Sequence, residues 1–147
     1  DPDGPSARLI DELSIGERVS VVSGLDDAEL ADLLASAEIA CVPSLYEGFS
    51  LPAVEAMSCG TPLVATRAGA IPEVVGEDES AALLVPPGDA GALAQALLRL
   101  LEDPELAART GAGGRARATS RYSWSAVAKA TADRYRAAVD AAAGEGN

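Results

Sequence analysis

An apolar run, a polar turn, a short helix and a second apolar run follow one another without a break between Ile39 and Ala65. That order constrains the fold more than any other part of the chain. Ile39-Ala-Cys-Val42 reads as a buried strand. Ser44 to Ser50 is a turn in which Gly48, lacking a Cβ, allows close backbone approach. A helix starts at Leu51: Ser50 can cap it, Pro52 suits a first turn that needs no intrahelical N–H, and Gly60 stops it. Leu63-Val-Ala65 is the next strand. A strand–helix–strand unit of this kind places its helix N-terminus, with free N–H groups and a positive dipole end, above the carboxyl ends of the strands.

The remaining chain repeats the alternation. Val19-Ser-Val-Val22, Glu38 to Val42, Leu63 to Thr66 and Ala82 to Val85 are expected strands. They are continuous apolar runs rather than alternating ones, as in a parallel sheet covered on both faces. Expected helices run from Ala7 to Leu13, capped by Ser6 and ended by Gly16, and from Asp26 or Asp27 through Ala35, with Leu30, Leu33 and Leu34 on one face. Ile71 to Val75 is a short one after a Gly69-Ala70 turn. The next runs from Asp89 through Leu101, with Leu93, Leu97, Leu98 and Leu101 inward. Asp103-Pro104 begins a further helix toward Ala118, weakened by Gly111, Gly113 and Gly114, and Ser123 caps the last one, which bears Trp124, Val127, Tyr135 and Val139. The fold class is therefore α/β: a Rossmann-like, doubly wound parallel sheet with a helical C-terminus. Asp1-Pro-Asp-Gly-Pro5 is a turn cluster, and the tail from Gly144 to Asn147 is expected to fray. A turn and a helix before the first strand suggest that further strands lie upstream.

Composition excludes several functions. A formal charge of −12 argues against nucleic acid and against direct contact with an anionic membrane. With no histidine, the chain holds no Ser-His-Asp triad, histidine base or histidine metal ligand. Cys41 and Cys59 are not in metal spacing and read as small core residues of a reducing compartment. No signal peptide or membrane-length apolar run is present in the sequence, so a cytoplasmic location is expected.

Glu47 lies in the turn, and Glu55 is the only charge in Leu51-Pro-Ala-Val-Glu-Ala-Met57. A carboxylate among apolar neighbours is costly without a partner, and sugar or ribose hydroxyls would serve as one. The plain alternative is a solvent-facing helix residue and a loop charge.

Glu47-Gly-Phe-Ser-Leu-Pro-Ala-Val-Glu55-Ala-Met-Ser-Cys-Gly-Thr-Pro62 resembles the paired-glutamate signature of family 4 (group 1) retaining glycosyltransferases of the GT-B fold. Arg67-Ala-Gly-Ala-Ile-Pro-Glu73, Leu83-Leu-Val-Pro-Pro-Gly-Asp89, Leu98-Arg-Leu-Leu-Glu-Asp-Pro104 and Tyr122-Ser-Trp124 follow in the family's order, so the resemblance spans about Arg18 to Tyr135. It implies the C-terminal, donor-binding half of such an enzyme, with its first strands upstream, and a nucleotide sugar (UDP- or GDP-linked) as donor. The acceptor would be held by an N-terminal domain on which the last helix, about 123–143, packs. In this matching Glu55 takes the ribose diol and Glu47 the transferred sugar, as an orienter or electrostatic stabiliser rather than one of a hydrolase pair. Gly48 and the Phe49, Ser50 and Leu51 backbone face the diphosphate, and Leu25 approaches the base. No cofactor or metal is expected. The family's phosphate-binding arginine and lysine would lie upstream of Asp1, leaving Arg67 as a surface charge and the isolated chain inactive. Ala81-Ala82 stands where the family commonly has a glycine. Trp124 reads as a core or inter-domain anchor. A non-catalytic module built on the same scaffold is the alternative. An unrelated flavodoxin-like domain would need an acidic pocket or flavin loop, and an epimerase of the same fold would not be expected to carry this signature before Gly60-Thr-Pro62.

Overall fold

The computed structural model describes residues 4–144. The first three residues of the expected turn cluster and the last three of the expected frayed tail lie outside the described residues. The chain divides into two compact units, Asp1–Leu30 and Ala31–Asn147.

The first unit holds α1 (Pro5–Glu12), a 3-10 turn (Gly16–Arg18) and the first turn of α2 (Asp27–Ser36). Helix α1 starts two residues earlier than expected, with Gly4 rather than Ser6 at the cap, because Pro5 fits the first turn. It ends at Leu13 and Ser14, the latter with φ 53°, and Gly16 opens the 3-10 turn instead of ending the helix. The cap of α2 is Asp26. Its Oδ1 accepts from the N–H groups of Ala28 and Glu29, while Glu29 Oε2 accepts from Asp26 N–H, each at 2.9 Å. This reciprocal arrangement satisfies the orphan donors of the first turn. The expected strand Val19–Val22 does not form: it joins no ladder among the described residues, and its valines are exposed. A run of β-formers becomes a strand only when a neighbour takes its N–H and C=O groups.

The second unit is a three-stranded parallel sheet in the order β1 (Ala40–Val42), β2 (Leu63–Thr66), β3 (Leu83–Val85). Ala40 lies against Leu63, and Val64 against Leu83. Helix α3 (Leu51–Cys59) links the first pair and α4 (Ile71–Val75) the second. Then α5 (Ala90–Glu102), α6 (Pro104–Tyr122) and α7 (Trp124–Gly144) complete the chain. Strand β2 is buried on both faces. Leu63 and Ala65 join Ala53, Ala56, Met57, Ile71, Val74 and Ala118 on the side of α3, α4 and α6. Val64, with Leu83 and Val85, packs on Ala96 and Leu100 of α5. Full burial of side chains the size of Met57, Leu63 and Ile71 contributes about 1.5–3 kcal/mol each.

Asp89 and Asp103 cap α5 and α6 by accepting from the N–H groups of Ala92 and Leu106, both at 2.9 Å. The inward stripe of α5 is Leu93, Ala96, Leu97 and Leu100. Leu98 and Leu101, expected inside, are exposed, because the i, i+3, i+4, i+7 face runs through the alanine rather than through every leucine. Cys41 is also exposed: it points away from Val42 on a strand that pairs on one side only, so it is not a core residue. The α6 glycines do more than weaken a helix. A Cβ on Gly111 would run into the Gly60 carbonyl oxygen and one on Gly113 into that of Ser80, so these residues let α6 lie directly on the backbone below it. Trp124 is 90% exposed and is therefore no core anchor of this chain, and Tyr135 and Val139 are likewise exposed.

Candidate functional site

The polar turn after β1 is held from three directions. Thr66, at the end of β2, donates from Oγ1 to the Ser44 carbonyl at 2.5 Å. Ser44 in turn donates from its hydroxyl to Glu47 Oε1 at 2.8 Å. From the β2–α4 turn, Ala70 N–H donates to the Glu47 carbonyl at 2.9 Å. Gly69 has φ 54°, and a Cβ there would collide with that same carbonyl. Glu47 is thus half-buried and fixed through its backbone and one carboxylate oxygen. Its Oε2 has no partner among the described residues.

Helix α3 begins directly beyond this turn. Ser50 occupies the cap position, but its side chain does not cap. Its backbone is left-handed at φ 76°, which turns the hydroxyl away from the first-turn N–H groups. Oγ is buried with no partner. The N–H groups of Gly48, Phe49, Ser50 and Leu51 reach no acceptor among the described residues. They form a row of open donors at the positive end of a nine-residue helix. Gly60, at φ 77°, closes that helix as expected.

Glu55 lies four residues beyond Leu51, about 6 Å further along the axis at the α-helical rise. It is half-buried beside the buried Ala53, Ala56 and Met57, and no hydrogen bond or ion pair holds it among the described residues. Arg67, expected as a surface charge, is exposed and bonds Glu77 at 3.1 Å. Such an exposed pair contributes little to stability.

The structure therefore brings Glu47, Gly48, Phe49, Ser50, Leu51 and Glu55 into one loop–helix unit. Leu25 belongs to the first unit, half-buried in the turn that leads into α2. A cleft of about 200 Å³ opens at the carboxyl ends of the strands, lined by Pro43, Leu45, Thr66, Pro86, Gly88, Asp89, Ala90 and Leu93. Neither glutamate lines it. Among the described residues no group of three His, Cys, Asp or Glu side chains is placed to hold a metal ion. None of the helices described is long and apolar enough to cross a membrane.

Sequence reasoning missed the supports: Ser44, Thr66, Gly69 and Ala70 under Glu47, and Tyr122, whose ring meets Phe49 edge-on. Gly69 and Ala70 left a local signal as a strand-to-helix turn, and Ser44 lies three residues from Glu47 in the same turn; Thr66 and Tyr122 act across the fold.

Comparison with known proteins agrees with this architecture. Residues 5–117 match the family described as glycosyl transferases group 1. The chain is 56% identical over 139 residues to an MMP alpha-(1->4)-mannosyltransferase of Mycolicibacterium hassiacum, covering 95% of this chain and 34% of that relative. The sucrose-phosphate synthase of Thermosynechococcus elongatus superposes with TM-score 0.82 at 40% identity, over 92% of this chain and 34% of that one. The Anabaena protein HepE, solved in complex with UDP, superposes with TM-score 0.81 at 27% identity, over 90% of this chain and 36% of that one. The chain thus spans about a third of the length of each of these proteins. It belongs to the group 1 glycosyltransferases, as a C-terminal α/β domain of GT-B type.

Proposed function

We propose that this chain binds the donor, a nucleoside-diphosphate sugar, within a longer glycosyltransferase whose N-terminal domain holds the acceptor. One observation carries the reading: among the described residues Glu55 is half-buried and unpartnered one turn into a helix that opens on the free N–H groups of Gly48 to Leu51. A diphosphate matches the N–H row, because each N–H group donates to a phosphate oxygen and the helix dipole favours the anion. A ribose diol matches the carboxylate, because its two O–H groups donate to an acceptor that otherwise has no partner. Glu47, anchored at one oxygen by Ser44, offers the other to a hydroxyl of the transferred sugar. In the transition state its charge stabilises the sugar as that ring becomes cationic. The chemistry is displacement of the nucleoside diphosphate by an acceptor hydroxyl. The leaving phosphate takes the bonding pair, and the acceptor's proton passes to that phosphate oxygen. The reading requires no metal ligand from this chain.

A structural neighbour complexed with UDP supports a UDP-linked donor, a relative named for mannosyl transfer supports a hexose as the transferred sugar, and a GDP-linked donor is the alternative. Calorimetric titration of the full-length protein with UDP, GDP and ADP tests the proposal. Saturable binding of at least one, weakened about tenfold or more by Glu55→Ala, is expected. A full-length protein that binds none of the three refutes it. The 147-residue chain alone, mixed with donor and acceptors, should show no turnover.

A further inference from the structure

Phe49 sits in the middle of the open N–H row and is 44% exposed. Something must set its place, because each peptide unit of a turn moves with the side chain it carries. The one ring–ring contact among the described residues does this: Tyr122, the last residue of α6, meets Phe49 at a centroid separation of 5.5 Å and an interplanar angle of 81°. Edge-to-face pairs are favoured by the opposed charge of ring edge and ring face. The Tyr122 hydroxyl donates to the Val74 carbonyl of α4 at 3.0 Å. Arg117, one and a half turns earlier on α6, donates to the same carbonyl at 2.7 Å and to that of Glu73 at 2.8 Å. Helix α4 is thereby tied to α6, and α4 begins at the Gly69–Ala70 turn that holds the Glu47 carbonyl.

We propose that Tyr122 is a positioning residue for the donor: its ring holds Phe49, and with it the phosphate-facing N–H row, in register with Glu47. The proposal rests on the reading under Proposed function. Two bonds diverge from one side chain, one to the start of the donor helix and one to the helix that follows the Glu47 support. A residue that merely filled the core would have no need of the contact with a half-exposed ring.

The test uses the full-length enzyme and separates ring from hydroxyl. Tyr122→Leu removes the edge contact. It should raise the donor KM about three- to tenfold, with the acceptor KM unchanged and kcat within about twofold. Tyr122→Phe keeps the ring and loses only the bond to Val74. It should lower the melting temperature while the donor KM stays within about twofold of wild type. Phe49→Leu should reproduce the Tyr122→Leu donor KM, and the double variant should be no worse than either single one. Should the Tyr122→Leu protein fail to fold, Phe49→Leu carries the test alone. A wild-type donor KM in Phe49→Leu, or a Tyr122→Leu loss confined to kcat and stability, overturns the proposal. Wild-type protein that binds no nucleotide sugar would instead defeat the functional reading beneath it.

Discussion

Two segments carry recognisable sequence signatures, and the structure treats them oppositely. The turn Ser44–Ser50 is held at three of its residues: Ser44 by Thr66, Glu47 by Ser44 and Ala70, and Phe49 by Tyr122. Helix α7 starts with the Trp124 of the other signature and leaves that indole, Tyr135 and Val139 in the open. One signature is explained by contacts inside this chain. The other is explained only at Tyr122, which meets Phe49 and bonds the Val74 carbonyl; an N-terminal domain packed on α7 would account for the exposed Trp124.

The comparison breaks first at Gly69. Gly69→Ala should lower stability by about 3 kcal/mol, from overpacking against the Glu47 carbonyl and from a left-handed φ. Nucleotide binding should fall with it. Thermal denaturation at wild-type stability would mean that the turn is not clamped there.

Glu55→Ala comes next. It should weaken nucleotide binding about 10- to 100-fold, the loss of hydrogen bonds to a charged acceptor. Because Glu55 has no partner among the described residues, the melting temperature of the variant should hold or rise slightly. Glu47→Ala should leave nucleotide affinity nearly intact and reduce turnover of the donor sugar, measured as kcat in the full-length enzyme.

Ser50→Gly should stabilise by about 1 kcal/mol. It relieves a left-handed serine and removes a buried hydroxyl without a partner. Denaturant titration reading a loss instead would mean the hydroxyl has a role within the fold. The smallest effect belongs to α7: Trp124→Ala in the 147-residue chain should change stability by less than about 0.5 kcal/mol, as for exposed sites generally. In the full-length protein a cost above about 2 kcal/mol would show that a further domain covers the indole.

What the sequence made legible follows from local rules. Apolar runs bounded by caps located the sheet, and Asp89, Asp103 and Gly60 marked helix ends because capping acts within three or four residues. What stayed hidden depends on partners far along the chain. Val19–Val22 has the composition of a strand but no ladder to join. The α6 glycines read as flaws until the carbonyls of Gly60 and Ser80 appear beneath them. The candidate site residues could be named only through the family resemblance of the Glu47–Pro62 stretch, since their spacing alone fits a loop charge and a solvent-facing helix residue equally well; the contacts of Thr66 with Ser44 and of Tyr122 with Phe49 could not be read at all. Ser50 misled because capping propensity assumes extended backbone, and its φ is positive.

The most direct test is calorimetry of the full-length protein, wild type against Glu55→Ala, with the nucleoside diphosphate it binds best. A dissociation constant at least about tenfold weaker in the variant, at an unchanged melting temperature, is the expected result. Equal affinity in the two proteins would contradict the claim that this helix and its carboxylate hold the donor.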